Sequence, residues 1–270
     1  MTQDRCDRPI AMFDSGFGGL TVTRAVIDLL PEENIVYFGD TARYPYGSKG
    51  HDEVATFAAQ ITDLLIEKYD PKMIVVACNT AAAVALDDLE ARVDIPVIGV
   101  LRPGLESLLK VTVNSRVGMI GTVGTVASGA YQRLASQAAP AVDFRCAACP
   151  GFVEFVERGE TGSDQVRVLA QRLLAPLVEA KIDGLLLGCT HYPFLARTIA
   201  EVMGRDVVLV SSADETAFEV WRALEASDDR RVGATRGVHR FVSSGDVLEF
   251  ARLGRDLLGP ELNDVECHTW

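Results

Sequence analysis

Short runs of consecutive apolar residues alternate with longer stretches of helical periodicity along almost the whole chain. The apolar runs have the length of strands buried on both faces. They predict strands at Ile10–Phe13, Asn34–Phe38, Met73–Ala77, Val97–Ile98, Arg116–Ile120, Val142–Arg145, Gly184–Leu187, Val207–Val210 and Arg240–Val242. Helical patterns fall between them, among them Leu20–Leu30, Val54–Lys68, Ala81–Arg92, Val126–Gln137, Gln165–Ala180 and Glu215–Ala226. Alternation of this kind predicts an α/β fold of mostly parallel sheets covered by helices. In such sheets ligands collect beyond the carboxyl ends of the strands, so chemistry is expected in the loops that follow strands.

Those loops repeat. The first strand leads into Asp14-Ser15-Gly16-Phe17-Gly18-Gly19, the second into Gly39-Asp40-Thr41-Ala42-Arg43-Tyr44-Pro45-Tyr46-Gly47-Ser48, and the third into Cys78-Asn79-Thr80. Further on, strands open into Gly121-Thr122-Val123-Gly124-Thr125 and Gly188-Cys189-Thr190-His191-Tyr192-Pro193. Asp14 and Cys78 are 64 residues apart, and Thr122 and Cys189 are 67 apart. A strand with a polar, Gly-containing loop thus precedes a strand with a Cys-Thr loop twice, at nearly the same distance. This predicts a divergent duplication. The expected architecture is two pseudo-symmetric lobes, 1–99 with 211–270 and 100–210, with one thiol from each entering the cleft between them.

Length and charge narrow the function. At 270 residues, 48% of them hydrophobic, the chain can bury one large core or two smaller ones. A net charge of −12 with no basic stripe argues against nucleic acid as a partner. The polar start has no apolar signal region, and the longest apolar stretch, Met73 to Leu86, is too short for a bilayer and contains Asn79 and Thr80. A cytoplasmic protein without membrane partners and without a large N-terminal extension is therefore expected. In that setting the six cysteines read as free thiols. Cys146-Ala-Ala-Cys149 is one CxxC without a second pair, a weak zinc signal. Cys6 and Cys267 read as residues of frayed ends, and His51, His239 and His268 as surface residues.

The two Cys-Thr loops carry the strongest chemistry. A thiol at a strand end facing a helix start can be held as a reactive thiolate. Asn79 and Thr80 add side-chain groups and backbone N–H donors where a substrate carboxylate would be stabilised. His191, two residues past Cys189, can relay a proton or hold the thiolate by charge. Each piece also has a plainer use: Asp14 or Ser15 as a helix cap, His191 as a cap of the helix near Pro193, Arg43–Ser48 as an ordinary turn. The Asp14 loop matches neither phosphate-binding glycine pattern, and no cofactor fingerprint occurs elsewhere. Two opposed thiols around a small molecule suit a two-base proton transfer, one removing a proton from carbon and the other donating to the opposite face. The substrate does not follow from this reasoning.

Taken together and in this order, the Asp14–Gly19 loop, the Pro45-Tyr46-Gly47 turn, Cys78-Asn79-Thr80, Gly121-Thr122, Gly188–Pro193 and Phe241-Val242-Ser243-Ser244-Gly245-Asp246 resemble glutamate racemase, of the cofactor-independent aspartate/glutamate racemase superfamily. The resemblance implies interconversion of L- and D-glutamate for peptidoglycan without cofactor or metal, in a protein that is commonly a homodimer. By position it makes Cys78 and Cys189 the two thiols, with Asp14 assisting the first and His191 the second. Cys149-Pro150-Gly151-Phe152-Val153-Glu154-Phe155-Val156-Glu157 resembles the family's Cys-Pro-x-Phe-Val-Pro-x-Val-Glu segment, which makes Glu157 an assisting acid and puts Glu154 where the family usually has Pro. Cys149 then reads as a structural or near-site thiol. Ser15, Tyr46, Gly47, Asn79, Thr80, Thr122 and Thr190 would contact substrate, as would Asp14 and His191. An aspartate or broad-specificity racemase is the nearest alternative, although such members usually carry Glu where His191 stands. A non-catalytic amino-acid-binding protein on the same fold is the other.

Overall fold

The computed structural model describes residues 3–233, 235–262 and 264–270. The chain divides into two compact units, Met1–Val100 with Ala213–Trp270, and Leu101–Ser212. The first contains α1 (Gln3–Asp7), β1 (Ile10–Asp14), α2 (Leu20–Leu29), β2 (Ile35–Gly39), α3 (His51–Tyr69), β3 (Met73–Val76), α4 (Asn79–Arg92) and β4 (Val97–Gly99). The second contains α5 (Leu101–Val111), β5 (Arg116–Gly121), α6 (Val123–Ala127), α7 (Ala130–Ala138), β6 (Asp143–Ala148), α8 (Phe152–Glu157), α9 (Asp164–Glu179), β7 (Gly184–Gly188), α10 (Ala196–Met203) and β8 (Val208–Val210). The chain then returns to the first unit with α11 (Ala213–Ser227), β9 (His239–Ser243), α12 (Val247–Leu258) and β10 (Val265–Cys267).

Every described strand pair is parallel. The first sheet runs β10-β9-β2-β1-β3-β4 and the second β6-β5-β7-β8. Four strands of the first sheet, β2-β1-β3-β4, therefore have the same order as the whole of the second. In this order β1 and β3, and likewise β5 and β7, flank the point where the winding reverses, which is where open α/β sheets leave a crevice at the strand ends. The central strands are continuous apolar runs buried along their length, as β1, β2, β3 and β7 show, because helices cover both faces. The edge strand β6 instead alternates towards solvent.

Local chemistry explains where the pattern and the structure part. The helix expected over Val126–Gln137 is two helices, α6 and α7, because Gly129 between them takes φ +69°, a conformation costly for any residue with a Cβ. Helix α5 starts at Leu101 despite Pro103 and Gly104, both of which lie in its first turn, where a missing N–H is tolerated. Helix α12 buries Phe250, Gly254 and Leu258 at four-residue spacing, and the Asp246 carboxylate accepts hydrogen bonds from the Leu248 and Glu249 amides at its start. Cys267 is not in a frayed end: it belongs to β10, in register with Ser243 of β9. His239 and His268 are half-buried, and His268 packs on Phe38. No described helix is long and apolar enough to cross a membrane.

Candidate active site

In the first unit the site is built at the carboxyl ends of β1, β2 and β3. β1 ends at Asp14, which is fully buried, and its Oδ2 accepts hydrogen bonds from the amides of Gly16 (3.1 Å) and Gly19 (3.2 Å). Gly19 can come this close only without a side chain, since a Cβ there would lie 2.6 Å from the Cβ of Asp14 and 2.8 Å from the Tyr37 hydroxyl. β3 ends at Val76, and Cys78 is the N-cap of α4. Its thiol is buried and 3.8 Å from the Ser15 hydroxyl, and it feels the Asp14 charge. Asn79 and Thr80, both buried, form the first turn of α4 behind it.

These surroundings set the protonation states. Burial pushes the Cys78 thiol up to about 12, and the neighbouring Asp14 charge pushes the same way. The amides of Ala81 and Ser15 pull against it, which is the helix N-terminus acting on a thiolate, but burial wins. The resting group at neutral pH is therefore a thiol, contrary to the thiolate that its place at a helix start suggests. Asp14 is itself raised by burial, opposed by its bonds from the Gly19 and Gly16 amides.

Beyond β2 lies a second buried carboxylate, Asp40, that sequence reasoning passed over. It receives the Tyr46 hydroxyl, the Arg43 Nε (2.7 Å) and the Ser244 hydroxyl (2.8 Å), while its own amide donates to the Asp14 carbonyl (3.0 Å). Tyr46 and Gly47 sit in the short 3-10 turn Tyr46–Ser48, Tyr46 buried and Gly47 half-buried. Burial first, and then the Asp40 charge, hold the Tyr46 phenol well above its usual value, so it remains a neutral donor. The signal available in the sequence was positional: Asp40 follows its strand as closely as Cys78 follows β3.

The second unit repeats this plan with different chemistry. Thr122 follows β5, is half-buried, and caps α6 by accepting from the Thr125 amide at 3.1 Å. Beyond β7, the buried Cys189 and His191 lie together, with Sγ 3.9 Å from Nδ1, and the Thr190 hydroxyl is 3.5 Å from the same nitrogen. Burial lowers His191 to about 4, so the imidazole is neutral at pH 7. It can accept or pass a proton; holding a thiolate by charge would need the imidazolium that burial disfavours. Tyr192 donates to the Cys149 carbonyl (3.1 Å) and packs edge-on against Phe152, tying the β6–α8 loop to the turn after His191. On α8, Glu154 is exposed and Glu157 half-buried. Tyr131, buried on α7 and unmarked in the sequence pattern, is raised by burial and coupled electrostatically to Cys146 and Cys189.

The structure thus gathers Asp14, Ser15, Cys78, Asn79 and Thr80, with Tyr46 and Gly47 beside the same strand ends, and separately gathers Cys189, Thr190 and His191, with Thr122 on the neighbouring strand. Cys146 and Cys149 are each pushed up to about 12 by burial, which disfavours the thiolates a metal needs. Among the described residues no group of three His, Cys, Asp or Glu side chains could hold a metal ion.

The His191 shift makes a stability prediction. Between its unfolded value of 6.5 and about 4, the unfolded chain binds a proton that the folded chain refuses. Stability should therefore fall as pH drops through this window, by about 3 kcal/mol in all. Urea unfolding of a His191→Asn variant should show a flatter dependence between those pH values, and an unaltered slope would mean that the folded imidazole carries charge.

A family profile described as Asp/Glu/Hydantoin racemase matches residues 17–219. The chain is 50% identical to a glutamate racemase of Acidothermus cellulolyticus, over 95% of this chain and 97% of the relative. A glutamate racemase isoform from Bacillus anthracis superimposes with a TM-score of 0.91 at 37% identity, covering 97% of both chains. Another from Francisella tularensis, solved in complex with D-glutamate, does so with a TM-score of 0.91 at 33% identity over 98% of each chain. Matched over nearly its full length, this chain belongs to the Asp/Glu/hydantoin racemase family, among its glutamate racemases.

Proposed function

We propose that this amino-acid racemase interconverts L- and D-glutamate by proton transfer at Cα between two thiols, Cys78 and Cys189. The observation that carries this reading is the duplication: each thiol stands one or two residues past the third strand of the same parallel order, followed by Asn-Thr or Thr-His. The two positions are equivalent in topology and unequal in chemistry, a carboxylate beside one and a neutral imidazole beside the other.

On this reading the substrate Cα presents one face to each thiol. Its α-ammonium group brings a positive charge to thiols that burial keeps protonated, which lowers their pKa where an anion is needed. Cys78 passes its proton to Asp14, and the resulting thiolate removes the Cα proton. Charge then builds on the α-carboxylate, where the N–H groups and hydroxyls of Asn79, Thr80, Thr122 and Thr190 are placed to stabilise it. Cys189 donates its own proton to the opposite face. Asp14 then releases the proton it took to solvent, and the neutral His191 relays one from solvent to the Cys189 thiolate, which restores the starting state. In the reverse direction the thiols exchange roles. Ser15, Tyr46 and Gly47 complete the substrate contacts, and Glu157, the less exposed of the two α8 carboxylates, assists at the Cys189 side. The scheme needs no cofactor or metal. It serves D-glutamate supply for peptidoglycan in the cytoplasm, in a protein that works as a homodimer.

Turnover of L-glutamate in heavy water tests this directly. D-glutamate should form with deuterium at Cα, without added pyridoxal phosphate, nucleotide or metal. A requirement for pyridoxal phosphate would refute the two-thiol scheme, and a clear preference for aspartate would overturn the substrate assignment.

A further inference from the structure

The buried Asp40 carboxylate holds more than the Tyr46 turn. Its Oδ1 also accepts the indole N–H of Trp270 at 2.8 Å, across 230 residues of chain. The same indole lies 3.6 Å from the Arg43 guanidinium, which is 4.1 Å from the Phe57 ring as well. Trp270 is kept there by edge-on contacts with Phe38 (5.6 Å) and His268 (4.7 Å), and β10 carries the segment along β9. One side chain thus braces Asp40, which accepts the Tyr46 hydroxyl, and Arg43, which donates to Asp40.

We propose that Trp270 is a positioning residue for substrate binding: its indole locks Asp40 and Arg43, and through them the Tyr46 hydroxyl and the Tyr46–Gly47 turn. The proposal rests on the reading of Tyr46 as a substrate contact. At 44% exposure, Trp270 can be removed without opening a core cavity, so its loss acts on the geometry of the turn more than on the fold. Without it, Asp40 Oδ1 keeps only the Ser244 hydroxyl, and Arg43 loses one of its two aromatic neighbours.

Steady-state kinetics on the full chain tests the idea. Trp270→Ala should raise KM for glutamate about tenfold, the worth of one hydrogen bond to a charged group, with kcat changed less than about threefold. Trp270→Phe, which keeps a ring over Arg43, should recover part of that loss. In the Asp40→Asn background, Trp270→Phe should add nothing further to KM, because both act on one network. Additive effects, or a Trp270→Ala variant that melts earlier with KM unmoved, would overturn the proposal. Tyr46→Phe separates the two readings: if it leaves KM unchanged, the substrate role of Tyr46 fails; if it raises KM while Trp270→Ala does not, only the brace fails.

Discussion

Replacing either Cys78 or Cys189 with serine should lower racemisation by about a thousandfold or more, the range expected when a positioned acid–base group is lost. A hydroxyl cannot supply the anion that a thiol can, even in the same hydrogen-bonding site. Because enantiomers have equal free energy, kcat/KM must fall by the same factor in both directions. The asymmetry between the thiols appears instead in exchange. In heavy water, Cys78→Ser should still wash deuterium into the enantiomer whose Cα proton faces Cys189, without inverting it, and should lose exchange with the other enantiomer. Cys189→Ser should show the opposite pattern. Equal loss of exchange from both enantiomers in either variant would overturn the assignment of one thiol to each face, and a fully active variant would remove the replaced thiol from the mechanism.

The second large effect belongs to Asp14. Its charge is one reason the Cys78 thiol is held up to about 12, so Asp14→Asn should make that thiol more acidic. Alkylation rates measured against pH would report the downward shift. Turnover should nevertheless fall, by about a hundredfold, because the group that receives the thiol proton is gone. An asparagine oxygen can still accept from the Gly16 and Gly19 amides, so the loop should keep its shape. Loss of folding would also expose the thiol and slow the enzyme, so the same preparation should keep the parent's urea midpoint; an early-melting variant would leave the acidic thiol explained by exposure. A variant as active as the parent would remove Asp14 from the mechanism.

Much of the fold was legible along the chain. Fully buried parallel strands leave unmistakable apolar runs, and β1, β2, β3, β5 and β7 lie within a residue or two of the expected spans. The failures have local causes. β10 is three residues of an edge strand, with too little apolar surface to mark it. The break between α6 and α7 turns on the single backbone conformation of Gly129.

The chemistry divides differently. Cys78, Cys189, Asp14 and His191 could be picked out because each closes or follows an apolar run at a repeated spacing. Asp40 could not be recognised as a hub, since Ser244 and Trp270, two of its donors, lie 204 and 230 residues away. Nor could the charge states be read. Cys78 sits at a helix start, which alone favours a thiolate, and His191 beside a thiol could have been charged or neutral. Burial decides both, leaving a protonated thiol and a neutral imidazole.

By itself, then, the sequence determined the strand order's raw material, the duplicated Cys-Thr loops and the family they resemble, because periodicity and spacing are properties of neighbours along the chain. Only the tertiary structure decided which carboxylate organises the Tyr46 turn and which groups carry charge, because solvent exclusion and hydrogen-bond partners come from segments remote in sequence.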